Sequence, residues 1–271
     1  MARHLPSDEE IILLCRNPQS LYGRGSAKIL DSVFVKFGLG IMPAEAATLK
    51  YVWEQVDHNV LRVPQPYRYF QDNSLGPELI IGYLVMEYID GISLSRYLEY
   101  ATAEEQEAVI DAVVGLLNQL ARVPVPAAQG PGPVGGGPPR GYLWSDGGIM
   151  SSFESLMDME SWLNRILMDY QPGYKGDLFD FTSSNLYLCH TDLAPRNLIR
   201  QQNGQLVVLD WGSAGFFPRV FEIYAFRTRA DREPLFTQIL SRLDRGCDEG
   251  QIQLLSKIER TLLLFGDGIN R

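Results

Sequence analysis

Residues 189–199 read CHTDLAPRNLI, a polar loop between apolar runs that holds His190, Asp192 and Asn197. The segment after it, LIRQQNGQLVVLDWG, carries the turn signal Asn203–Gly204 and reaches Asp210. Asp192, Asn197 and Asp210 are therefore expected near the open end of one hairpin. Three oxygen-bearing side chains placed this way suit phosphoryl transfer from ATP, whose loose transition state asks for positioning and charge neutralisation. One carboxylate must orient the attacking hydroxyl and take its proton, a role that Asp192 fits. Hard oxygen ligands must hold Mg²⁺ against the phosphates. Asp210 supplies charge and Asn197 a neutral oxygen, which is sufficient because the phosphates bring most of the negative charge. His190 reads as a brace that bonds main chain near Asp210, and Pro195 stiffens the loop. Cys189 reads as a packed thiol.

The phosphates also need a cation. In VFVKFG, Lys36 falls on the opposite strand face from Val33 and Val35, and Glu45 lies early in the helix expected next. A Lys36–Glu45 pair across strand and helix would fix the ammonium.

The elements that must position these groups are legible in outline. AKIL and VFVKF flank Asp31–Ser32 as a hairpin. MPAEAATLKYVWEQV reads as a helix with Pro43 in its first turn. RVPQPYRYF is extended, since each proline disfavours helix in its predecessor, and LIIGYLVMEYI reads as buried strand. Residues 1–90 thus form a strand-rich lobe with one helix. Residues 91–271 are mainly helical. TAEEQEAVIDAVVGLLNQLA opens with Thr102 and Glu105 at capping-box spacing and puts Val109, Val113, Leu116, Leu117 and Leu120 on one face. SSFESLMDMESWLNRILMDY follows as a helix, with Ser151 and Glu154 as its capping pair. PLFTQILSRL and EGQIQLLSKIERTLLLF close the chain as amphipathic helices. The Pro/Gly stretch at residues 124–141 holds too few apolar residues to pack alone and reads as mobile. Tyr142 and Trp144 either stack on an acceptor or anchor this loop. Asp146 is read as turn-forming, and His58 as exposed.

At this point the chain resembles a known family. HTDLAPRN is similar to the H-x-D-x-x-x-x-N catalytic loop of the aminoglycoside phosphotransferase and choline kinase families, relatives of the protein kinases. LDWGSAG resembles their metal-binding aspartate motif, and VFVKFGLGIMPAEAATLKYV their lysine strand and glutamate helix. VPQPYRYF and YLVMEYIDGISL resemble the proline-marked strand and the hinge. The likeness runs over roughly residues 20–225 and is nearest to fungal members. It implies an α+β, bilobal protein-kinase-like fold, an ATP cleft, Mg²⁺, and transfer to a small-molecule hydroxyl. It also implies that Met86 is the gatekeeper and that the Glu87 carbonyl and Ile89 amide bind adenine. YGRGS is the best match to the glycine loop, making Gly23, Gly25 and Ser26 phosphate contacts. Gly212 departs from the fungal pattern, which places Glu there.

Bulk properties bound this reading. A net charge of −9 disfavours nucleic acid and permits a cationic acceptor. Three scattered cysteines fit a reducing compartment without disulfides. The opening MARHLPSDEE shows no secretory leader, and no run is long and apolar enough for a membrane span, so a cytoplasmic protein is expected. A protein kinase is disfavoured because no long activation segment or A-P-E ending follows Asp210. The remaining rival is a nucleotide-binding pseudokinase or interaction module.

Overall fold

A four-stranded antiparallel sheet and a helical lobe share the candidate site residues between them. The computed structural model describes residues 5–15, 24–144, 148–170, 173–230, 234–243 and 248–266. After the short helix α1 (Asp8–Cys15), β1 (Arg24–Leu30) and β2 (Val33–Gly38) form the hairpin expected at Asp31–Ser32. Helix α2 (Pro43–Gln55) crosses to β3 (Pro66–Asp72) and β4 (Ile81–Glu87), giving the order β1-β2-β4-β3.

Strand alternation decides which side chains reach the cleft. Val33, Val35 and Phe37 of β2 pack with Ile81, Tyr83 and Val85 of β4 and with Ile11 of α1. Phe34 and Lys36 therefore point to the other face, beside Met86 and Leu84 across the ladder. Helix α2 buries Glu45, Thr48, Leu49 and Val52, one stripe at helical spacing, so Glu45 is held on its packed face. Leu49 is 1% exposed, and truncating it to alanine would cost about 2–5 kcal/mol and loosen that face. Gly82 of β4 is where the loop before α2 comes closest, since an added Cβ would lie 1.9 Å from the Ile41 oxygen.

Beyond β4 the chain changes partners. β5 (Ile92–Ser93) joins β7 (Leu198–Arg200) and β8 (Leu206–Val208) in a second sheet, while β6 (Tyr187–Cys189) pairs with β9 (Gly215–Phe217). Neither β5 nor β9 is signalled by the sequence, because two- and three-residue strands have no measurable alternation. The helices are α3 (Leu94–Leu98), α4 (Ala103–Leu120), α5 (Leu156–Tyr170), α6 (Val220–Ala230), α7 (Pro234–Leu243) and α8 (Glu249–Phe265). The Thr102–Glu105 capping box forms. Helix α5 is capped differently from expectation, by reciprocal bonds between Ser155 and Asp158 instead of Ser151 and Glu154. No helix among the described residues is long and apolar enough to cross a membrane.

The Pro/Gly stretch is a strap and not a bare tether. Gly132 exchanges two main-chain bonds with Phe216 of β9, Val134 N–H donates to Thr48 Oγ1, and Tyr51 donates to the Pro124 oxygen. Main-chain groups need no apolar side chains to pair, so composition undercounts this anchoring. Trp144 is buried among Phe153, Trp162, Phe217 and Phe221, which makes it an anchor of the strap. His58, expected to be exposed, is half-buried against Trp53. Asp146 and Gly23 lie outside the described residues.

Candidate active site

Lys36 Nζ lies 2.6 Å from Glu45 Oε1 and 2.6 Å from Asp210 Oδ1. One ammonium thus joins the sheet, helix α2 and the segment after β8. Burial alone would push the Lys36 ammonium down, but the Glu45 and Asp210 carboxylates outweigh it and hold it above the usual lysine range. Asp210 sits in the left-handed region (φ 59°), which Asp tolerates better than most residues. Gly212 follows closely, and a Cβ there would stand 3.1 Å from Glu45 Oε2 and 3.5 Å from Asp210 Oδ1. A glycine keeps that side of the ion cluster open, since even a Cβ would ask the Glu45 carboxylate to give by a few tenths of an ångström.

The loop that opened the reading is built to fix Asp192. His190 is fully buried, and its Nε2 donates to the Leu209 oxygen at 2.9 Å while Nδ1 accepts from Asp192 N–H at 3.3 Å. These partners assign a neutral ring. Burial, the largest influence, keeps the imidazole below its ordinary value. His190 therefore ties the loop to the main chain just before Asp210, and its buried ring is out of reach of a substrate. Thr191 takes a positive φ of 57°, unfavourable for a β-branched residue. It is held there because its N–H donates to Glu222 Oε2 (2.9 Å) and its hydroxyl donates to the Ser213 oxygen (2.7 Å). Asn197 spends its amide nitrogen on the Asp192 oxygen and on Asp192 Oδ2, at 2.7 and 2.9 Å. With that nitrogen committed, the atom that Asn197 retains for a metal is its carbonyl oxygen.

Between the sheet and the helical lobe lies a cleft of about 420 Å³. Its apolar walls include Leu84, Met86, Ile199 and Leu209, and its polar end is formed by Lys36, Asp210 and Asn197. Asp210 and Asn197 offer oxygens to that end, a donor set suited to a hard divalent cation. Met86, Glu87 and Ile89 all line the cleft, as do Gly25 and Ser26 from β1. The Glu87 side chain is turned to Arg62 (2.5 Å) and to Gln65 N–H (3.1 Å), and its main-chain N–H donates to the Gln65 oxygen (2.9 Å). A second cavity of about 550 Å³ lies behind Glu45, between α2, the strap and Gly212.

Sequence reasoning missed the surroundings of Asp192. Arg196 Nη2 reaches Asp192 Oδ1 at 2.6 Å, and Arg229 Nη2 from α6 bonds the same oxygen. Arg229 is buried, donates also to the Ala225 oxygen and carries its guanidinium 4.5 Å from the centre of the Tyr142 ring. Arg196 stands four residues beyond Asp192 in the same loop. Arg229 and Glu222 carried no spacing signal, since only the fold brings α6 beneath the loop.

An antiparallel N-lobe joined to a helical C-lobe, with an ion cluster at the polar end of the cleft between them, defines a kinase-like bilobal α+β protein. A model of the phosphotransferase enzyme family matches residues 41–251, and the chain belongs to that family. A search of curated proteins finds no match. Among solved structures, a thermostable mutant of aminoglycoside phosphotransferase APH(4)-Ia is similar at 14% identity and a TM-score of 0.58, over 96% of this chain and 94% of that one. A variant of that enzyme in a ternary complex with ADP and hygromycin B gives 14% identity and 0.56, over 97% and 91%. The GDP complex of aminoglycoside 2'-phosphotransferase-IIIa gives 11% identity and 0.52, over 93% and 88%.

Proposed function

We propose that the chain is an ATP- and Mg²⁺-dependent phosphotransferase that acts on a hydroxyl of a small molecule in the cytoplasm. The observation that carries this reading is the Lys36–Glu45–Asp210 ion cluster at the polar end of the cleft, with Asp192 tied to Asn197 beside it. In the reaction, the bond between the γ-phosphorus and the β–γ bridging oxygen breaks and a new bond forms to the acceptor oxygen. ADP carries away the electron pair, and the hydroxyl proton passes to Asp192 Oδ. Asp192 orients the hydroxyl and accepts that proton. Lys36, positioned by Glu45, holds phosphate oxygens, and the Glu87 and Ile89 main chain receives adenine under the Met86 gatekeeper. Gly25 and Ser26 cover the phosphates. Asn197 and Asp210 would hold Mg²⁺, which neutralises charge on the phosphates when bound. His190 positions the loop without touching substrate. The lobes meet near residue 90, where β4 gives way to β5.

The solved relatives bound to ADP, to GDP and to hygromycin B support a nucleotide and a small-molecule acceptor. The short path from β9 to α6, from Phe217 to Val220, leaves little room for a peptide platform and supports a small acceptor over a protein one. The test is a melting titration with ATP and GTP, with and without Mg²⁺, joined to ADP release for the wild type and Asp192→Asn. The enzyme reading expects Mg²⁺-dependent stabilisation through linkage in both proteins, and transfer lost only in the variant. Absence of any nucleotide shift, with no ADP release, would favour the interaction-module reading.

A further inference from the structure

The strap closes a ring of contacts around the Lys36 ammonium. Glu45 reaches that ammonium from α2, and Asp210 reaches it from the segment that runs into β9. The strap joins those same two elements by a second route. Val134 N–H donates to Thr48 Oγ1 of α2 at 3.1 Å. Two residues earlier, Gly132 N–H donates to the Phe216 oxygen at 3.0 Å, and the Gly132 oxygen accepts from Phe216 N–H at 2.7 Å. A Cβ on Gly215 would lie 2.4 Å from the Gly132 oxygen, so the strap seats this closely on β9 only beside a glycine.

Thr48 stands three residues after Glu45 and is fully buried on the same packed stripe of α2. Leu49 and Val52 hold the helix to the apolar core, an attraction without direction. A hydrogen bond has direction. The roll of α2 that would carry Glu45 off Lys36 also carries Thr48 off Val134, and a main-chain N–H then loses its acceptor. On the strap side, the first turn of α2 borders the cavity of about 550 Å³, at Met42, Pro43, Glu45 and Ala47. Side-chain packing therefore restrains the roll little on that side, and the Thr48 bond supplies the restraint. Tyr51, three residues further on, repeats the tie. Its hydroxyl donates to the Pro124 oxygen at 2.8 Å, and its ring stands edge-on to Phe216.

We infer that Thr48 is a positioning residue: by accepting the Val134 N–H it uses the strap to set the spacing of Glu45 and Asp210 around Lys36, and so the hold on the phosphates of the nucleotide. The inference rests on the phosphotransferase reading and adds to it a residue that touches neither nucleotide nor acceptor.

The test is calorimetric titration of the full chain with ATP and Mg²⁺, and with adenosine, in a double-mutant cycle of Thr48→Val and Glu45→Gln. Thr48→Val keeps the branched shape and loses the acceptor. It should weaken ATP binding by roughly fivefold or more and leave adenosine, which lacks the phosphates, unchanged. In a Glu45→Gln background the same substitution should add less than about twofold, since both act through one ammonium. Thr48→Ser keeps the hydroxyl and should bind ATP as the wild type does. Tyr51→Phe should weaken ATP by a smaller factor, and this half-buried position keeps the test valid if Thr48→Val does not fold. A purely structural role predicts equal weakening of ATP and adenosine, and effects additive with Glu45→Gln. Either result overturns the inference. So does unchanged ATP affinity in Thr48→Val, or in Tyr51→Phe where only that variant folds. A wild type that binds neither ATP nor adenosine would instead overturn the phosphotransferase reading.

Discussion

Lys36 and Asp210 stand 174 positions apart in the chain, yet Nζ and Oδ1 are separated by 2.6 Å. That contact crosses from the sheet to the segment after β8, and Glu45 shares the same ammonium. One cation thus compensates two carboxylates in a largely buried setting. Removing the cation leaves the two carboxylates facing each other. Lys36→Met should therefore destabilise the protein more than the double variant Lys36→Met/Glu45→Gln. The coupling in a double-mutant cycle should be about 1–3 kcal/mol by urea denaturation. In transfer assays, Lys36→Ala and Asp210→Ala should each lower kcat/KM by about 10²–10³-fold, as removal of one preorganised charge does. Independent additive effects on stability, or full activity in either alanine variant, would contradict this.

Glu222 links the loop to pH. Burial is the main influence on its carboxyl and raises it from 4.5 to about 7, against the pull of the Thr191 and His190 main-chain N–H groups. The unfolded chain gives up this proton near the ordinary value while the folded protein keeps it until about pH 7. A carboxyl raised in this way contributes most below the unfolded value, and its contribution fades as pH climbs through the folded one. Stability should therefore fall between about pH 4.5 and 7 by an amount assignable to this group. Glu222→Gln keeps an acceptor for Thr191 N–H and cannot ionise. Its urea midpoint should lack that component of the slope, and it should gain on the wild type at pH 8. A variant with the same pH slope as the wild type would remove Glu222 as the cause.

The parts of the site that were legible in sequence are those with local spacing. Asp192, Asn197 and Asp210 bracket one short hairpin, and Lys36 and Glu45 follow from strand alternation and helix onset. The structure brings the lysine pair together as the spacing suggested, and His190 braces the Leu209 main chain. What escaped the sequence depends on long-range placement. Arg229 and Glu222 reach the loop only because α6 packs beneath it, and β9 exists only because β6 and the strap pair with it. Composition marked the Pro/Gly stretch as unable to pack. The bonds that dock it are main-chain groups, which composition does not register.

The start of α5 shows the same limit at one turn's scale and yields a sharp test. Ser151-x-x-Glu154 and Ser155-x-x-Asp158 both satisfy the capping spacing, and sequence alone favours the pair with glutamate. Packing reverses the choice. Phe153 is buried against Trp144 and Trp162, which commits the residues around it to reach the core before a helix can begin. The cap then falls on Ser155, whose Oγ accepts from Asp158 N–H at 3.1 Å while Asp158 Oδ2 accepts from Ser155 N–H at 3.1 Å. Ser155→Ala should cost about 1 kcal/mol, the usual loss for a serine cap, whereas Ser151→Ala should stay within about 0.5 kcal/mol of the wild type. Denaturant midpoints of the two single variants decide between the pairs. A larger loss at Ser151 than at Ser155 would mean that the helix begins a turn earlier, with Phe153 drawn out of the aromatic cluster that anchors Trp144.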